Sequence, residues 1–325
     1  MLALFDYPSV QDVKEGRHVS GYPAALLGIA TRYAGCGPLE MDTFLPETPR
    51  FGNPSSFFHP RKDCPNDAVG NPLHPKYGYL RGDLLPHYHR VRERCRSARL
   101  VLALGDLALW ALTGEKLQDH RGTTLYTPEG VRVIPTHNPR ALVKDQSLLP
   151  ILSMDLKKAW QESLKERSVF PSRRIHIIES LRDMDFAVSA ILKGEQFAFD
   201  IETARGQVTM ICFANSPTNT FVLPFWFHSH NFWDEETEVQ MWLRVQKLMA
   251  SPLRKVAHNS VYDLTYLRAM GLKVCFPVDD TMLKSHSNEI EWLKSLGFLG
   301  SIYCNEKSWK NMRVGKVKDR NKKDE

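Results

Sequence analysis

Two carboxylates two residues apart, Asp200 and Glu202, close the run QFAFDIE over 196–202. In an extended chain, side chains two apart share a face. The apolar FAF ahead of them makes this the outer end of a core strand. Two carboxylates on one face repel unless a cation sits between them, and hard divalent ions such as Mg²⁺ or Mn²⁺ prefer such oxygens. Paired ions of this kind activate a water and stabilise the leaving oxygen when a phosphodiester is cut. A third acid follows in KVAHNSVYDLTYL, 255–267. Here a strand passes through His258-Asn259 into a helix with Asp263 in its first turns, and a helix start can aim a carboxylate at a neighbouring strand end. Read singly, Asp200 and Glu202 also fit solvated acids, and Asp263 a helix-surface acid.

The elements that must position these groups follow from periodicity. From 174 on, RIHII reads as a strand and Ser180 with Asp183 as a helix-starting capping box. QFAFDIE, QVTMICFA (207–214) and TFVLP (220–224) follow with short turns, which favours an antiparallel meander. A helix near 234–250, a strand at 254–257 and a helix at 260–270 complete a mixed sheet of the ribonuclease-H-like type. The first half alternates differently. Strands LALF (2–5), RLVLALG (99–105) and VRVIPT (131–136) are separated by helices at 22–34, 80–98, 106–114 and 149–166, with long loops over 36–78. Such alternation implies a parallel sheet between helical layers. At 325 residues the chain is expected to hold two α/β domains. They are a three-layer parallel-sheet domain over 1–166 and a mixed-sheet domain over 174–306, with 168–174 as linker and 307–325 as a basic tail.

The ordered segments FDIET, HNSVYDLTYL, VDDTMLKSH (278–286) and SLGFLGSIY (295–303) resemble the proofreading exonuclease domains of family A DNA polymerases, within the DEDD superfamily. The resemblance implies 3′→5′ exonuclease chemistry with two divalent metals. Asp200 and Glu202 would be metal ligands and Asp263 would bind the second metal through water, with Asn259 and Asp280 as supporting residues. The family's third motif, a Tyr four residues before an Asp, does not follow Tyr303. The expectation is therefore the front part of a phage-type family A polymerase, its exonuclease domain ending before that motif, as either a truncated reading frame or the front half of a split polymerase whose polymerase domain is a separate chain.

The first half is similar to uracil-DNA glycosylases of the family 4 type. LFDYPSVQD (4–12), LVLALGDLALWALTG (100–114) with His120-Arg121-Gly122, and VIPTHNPRALVKDQSLLPILSMDLKKA (133–159) carry the likeness. It implies a site at Asp6, Tyr7, Pro8, His137, Asn138 and Pro139, where Asp6 stands for the usual Glu and Phe44 for the usual base-reading Asn. Arg121 and Arg140 would be phosphate contacts. Two further readings follow from this half. It could be a base-excision enzyme reaching its base by flipping, or a non-catalytic DNA-binding or assembly module.

The net charge of +6 is concentrated in residues 307–325, which contribute +5. A basic tail suits nucleic-acid phosphates, and equally a solvated end. The six cysteines form no CxxC pair, so neither zinc nor an iron–sulfur cluster is expected. No run of ~18 apolar residues is present, so no membrane span is expected. The expected partner is DNA with a single-stranded 3′ end, in the cytoplasm.

Overall fold

In a computed structural model, residues 1–227, 230–290 and 292–304 are described. The basic tail expected at 307–325 lies outside them. Among the described residues no helix is long and apolar enough to cross a membrane. The chain packs as two compact units, Met1–Val169 joined by the segment from Gly297, and Phe170–Leu296.

The first unit is built on strands β1 (Leu2–Phe5), β2 (Glu40–Thr43), β3 (Leu100–Leu104), β4 (Leu125–Tyr126) and β5 (Arg132–Thr136), in spatial order β2-β1-β3-β5-β4. All neighbours pair in parallel except the short edge strand β4. Alternation along the strands feeds two cores. Ala3, Phe5, Leu102 and Ile134 pack with α1 (Gly21–Ala34) and α4 (Leu148–Leu164). Leu2, Leu4, Val101 and Val133 pack on the other face with α2 (Leu85–Arg96) and α3 (Asp106–Thr113). This is the expected three-layer arrangement. The segment 36–78, expected as loop, also holds short 3₁₀ turns and two strands of a small three-stranded antiparallel sheet completed by Gly78–Leu80. The N-cap of α3 is Gly105 at φ 124°. Asp106 begins the helix and accepts the Leu117 N–H at 2.9 Å.

The second unit carries β6 (Arg174–Ile177), β7 (Gln196–Ala204), β8 (Gln207–Ser216), β9 (Asn219–Pro224), β10 (Arg254–Ala257) and β11 (Val278–Asp280), ordered β11-β10-β7-β8-β9-β6. The expected meander β7-β8-β9 forms, and β8 alone runs against the others. This is the ribonuclease-H-like mixed sheet. Phe197, Phe199 and Ile201 enter a core with Ile211 and Phe213 of β8. The same core takes Met184 and Ile191 of α5 (Leu181–Leu192) and Met241 and Val245 of α6 (Glu235–Met249). Ser180 accepts the Asp183 N–H at 3.2 Å, so α5 has its expected cap. Helices α7 (Ser260–Ala269) and α8 (Thr281–Asn288) follow β10 and β11.

The exonuclease-like domain was expected to extend to residue 306. The helix α9 (Leu296–Tyr303) instead packs with the first unit from Gly297 on. The reason is a charged anchor. Arg121 donates to both oxygens of Asp155 at 2.7 and 2.8 Å, to the Ser301 hydroxyl, and lies 4.6 Å from the Phe298 ring. Lys158 Nζ reaches the Ser301 and Cys304 carbonyls at 3.2 and 3.1 Å.

Phe197 is 1% exposed and meets Phe213 edge-on at 6.0 Å. Phe197→Ala is expected to destabilise this unit by ~3–5 kcal/mol through lost burial and a residual cavity. Urea titration of the unit's unfolding transition measures it.

Candidate active site

The acids of β7 sit where the strand outruns its neighbour. Pairing with β10 ends at Ala198↔Val256, two residues short of Asp200. The alternation that buries Phe199 and Ile201 turns Asp200 and Glu202 to the exposed face. Cys212 lies opposite Asp200 on β8, and the register shifts just after Glu202. Beyond β10 the chain turns through Asn259 at φ 64°, a left-handed geometry that Asn tolerates better than most residues.

That turn is held by Asp280. Its carboxylate accepts the Asn259 N–H at 3.1 Å, the Ser260 N–H at 2.7 Å and the Ser260 hydroxyl at 2.9 Å. It also caps α8 through the Met282 N–H at 2.8 Å. Burial opposes its charge, but these hydrogen bonds outweigh burial and hold the carboxyl below its usual range. Asp280 thus positions the turn with its oxygens already occupied.

Asp263, 3% exposed in the first turn of α7, accepts the Ile201 N–H at 3.0 Å. Its carboxylate is fixed against the backbone midway between Asp200 and Glu202. Burial, relieved in part by that N–H and increased by the Asp200 charge, raises its pKa to about 6. Asp200 is raised as well, by burial first and then by Glu202, while His258 lowers it. Asp200 thus feels the charge of Glu202, and Asp263 feels that of Asp200 and Asp280. His258, not among the residues the sequence singles out for the site, bonds Thr281 through its imidazole at 2.9 Å and lowers the pKa of Asp200. Its place immediately before Asn259 was the available signal.

Among the described residues no group of three His, Cys, Asp or Glu is arranged to hold a metal ion by itself. A Mg²⁺ ion does not require one. It keeps several waters and commonly takes one or two carboxylates plus substrate phosphate oxygens. The exposed pair Asp200 and Glu202 fits that pattern, and a cation there would relieve the repulsion that raises Asp200.

The residues singled out in the first unit gather at the C-terminal ends of β1, β3 and β5. Asp6 accepts the Ala108 N–H at 2.8 Å, and Gly105 makes room for it. A Cβ at Gly105 would lie 1.9 Å from the Asp6 carboxyl. Burial raises Asp6 to about 7, eased by the Ala108 N–H and worsened by Asp106. Asn138 donates to the Leu104 carbonyl at 3.1 Å and accepts the Arg140 N–H at 3.1 Å. Burial lowers the pKa of the neighbouring His137. Pro8 and Pro139 are buried, and Tyr7 packs 5.7 Å from Phe57.

Three expectations change here. Phe44, read as standing at a base-reading position, is fully buried against Tyr88 and Trp110, because its side chain completes the core. Arg121, read as a phosphate contact, is buried and spent on Asp155. Arg140, read likewise, bonds Asp12 and the Tyr7 carbonyl. Both guanidiniums serve the fold.

No protein-family model matches the sequence, and no curated protein is similar to it. Several solved structures are similar in part. The EXO domain of Nibbler from Aedes aegypti is 14% identical, with 44% of this chain and 77% of that one covered at a TM-score of 0.32. The catalytic core of RRP6 from Trypanosoma brucei is 17% identical over 61% of this chain and 54% of that one, at 0.35. Escherichia coli RNase D, titled an exoribonuclease involved in structured RNA processing, is 13% identical over 43% and 36%, at 0.34. Likenesses this weak leave the chemistry to be read from the chain's own residues.

The raised Asp6 makes a signed prediction. The folded state favours the protonated acid, so the contribution to stability is complete below the ordinary carboxyl pKa of 3.8 and is lost as pH rises through about 7. Asp6→Asn is expected to flatten that dependence, and thermal melts of both proteins between pH 4 and pH 8 compare them.

Proposed function

We propose that this chain is a metal-dependent 3′→5′ exonuclease acting on a single-stranded nucleic-acid end. The observation that carries the reading is the hydrogen bond from Ile201 N–H to Asp263, which ties a third carboxylate to the backbone of the strand segment that carries the exposed pair Asp200 and Glu202. Those two would hold Mg²⁺ or Mn²⁺, with Asp263 oriented behind them. When bound, a divalent ion supplies an acidified water and stabilises the departing oxygen. Asp280 holds the Asn259–Ser260 turn that delivers Asp263, and His258 biases Asp200 towards the charged form. Ionised carboxylates are the competent state, so activity is expected to fall as pH drops and Asp200 and Asp263, whose burial favours protonation, take up protons; a pH–rate profile checks it.

The order of the FDIET and HNSVYD motifs supports a narrower reading, a proofreading domain that works on DNA beside a polymerase domain. For the first unit we favour a scaffold over a uracil-excising enzyme. The Asn138 amide is committed to Leu104 and Arg140, and Phe44 fills the core.

A 3′-labelled single-stranded oligonucleotide tests the main reading. Label is expected to be lost with Mg²⁺ or Mn²⁺, retained in EDTA, and retained by Asp200→Ala. Asp280→Asn, which alters a supporting contact, should slow digestion ~10–100-fold. Digestion that persists in EDTA or in Asp200→Ala would overturn the assignment. A uracil-containing oligonucleotide incubated in EDTA should yield no abasic sites.

A further inference from the structure

Beside the carboxylates, and separate from them, the second unit has a cavity of about 460 Å³. Part of its wall is aromatic. Phe225 and Trp242 stack face to face, with centroids 4.2 Å apart and planes at 8°. Trp226, on the short ribbon that pairs Trp226–Phe227 with His230–Asn231, and Tyr266 of α7 add two more rings, beside aliphatic wall from Val208, Ala269 and Met270. Polar groups share the lining. Gln207 and Asn231 offer amides, each both donor and acceptor. Glu238, which accepts the Trp242 indole N–H at 3.3 Å, offers a carboxylate.

The cavity is coupled to the site along the chain. Gly206, which lines it, follows Glu202 by four residues, so the two backbones are at most about 14 Å apart. On the α7 side, Tyr266 lies 5.1 Å from the ring of Tyr262, and Tyr262 directly precedes Asp263.

We propose that this cavity takes one unpaired nucleobase of a single strand whose end lies at Asp200 and Glu202. The occupant follows from the lining. The indole of Trp226, 37% exposed, and the half-buried ring of Tyr266 suit a planar ring of any base, with the Phe225–Trp242 stack behind them. The amides of Gln207 and Asn231 match the mixed donors and acceptors on a base edge. The Glu238 carboxylate disfavours a phosphate inside, so the sugar–phosphate backbone stays in solvent. The inference rests on the exonuclease reading for where the strand ends, and not for whether the cavity binds a base.

The experiment is fluorescence anisotropy of a labelled oligothymidylate with the full chain in EDTA, so that no cleavage is needed. Trp226→Ala is expected to weaken binding ~5- to 150-fold, the span of one lost base stack. Trp226→Phe should restore most of it. An oligonucleotide with an abasic backbone should bind no better than thymidylate binds Trp226→Ala. Equal affinity of the unaltered chain and Trp226→Ala, or equal binding of abasic and thymidylate strands, would overturn the proposal. Trp226-dependent binding without metal-dependent digestion would uphold the cavity and sink the exonuclease reading. Digestion with Trp226-independent binding would do the reverse.

Discussion

The Ile201 N–H lies beyond the last residue at which β10 pairs with β7, and the buried carboxylate of Asp263 takes it. Much of the second unit is arranged around that hydrogen bond. For Asp263 to reach Ile201, α7 must begin directly above the end of β7. That requires the left-handed turn at Asn259, and the turn is stable because Asp280 receives its N–H groups. Asp280 can do so because β11 pairs parallel with β10 and brings Asp280 level with Ala257. A buried acid needs such partners, since unpaired burial of a charge is costly. The cost not offset here appears as the raised pKa of Asp263.

Much of this arrangement was legible because it is written in short-range patterns. The two-residue period of FAFDIE specifies which face Asp200 and Glu202 occupy, and the spacing from Asn259 to Asp263 is a helix start. The meander followed from strand spacing, and the mixed character of the sheet from the strand–helix alternation after 234. What local patterns cannot carry is the identity of distant partners. Arg121 next to a glycine reads as a surface cation until Asp155 and Ser301 close around it, the latter 180 residues away. Phe44 likewise reads as a site residue until Tyr88 and Trp110 surround it. Gly105 is the reverse case, a glycine whose need is visible only once Asp6 is placed against it.

The two units use acids differently. In the first, Asp12, Asp155 and Glu162 are buried and paired with Arg140, Arg121 and Lys165, so each buried charge is compensated. In the second, Asp200 and Glu202 face outward with each other as neighbours. Repulsion left in a fold is a source of binding energy for whatever cation relieves it. Asp6 lies between these cases, an acid whose burial favours its neutral form.

The return of the chain to the first unit at Gly297 carries a consequence for biosynthesis. The partners of Arg121 and Lys158 on α9 leave the ribosome only after all of Phe170–Leu296 has been made, roughly 130 residues later. At ~5–20 residues per second that is a delay of about 6–25 s. During it the Arg121–Asp155 pair lacks its Phe298 and Ser301 cover, while the inserted segment can already fold. The unit translated first is therefore the one completed last.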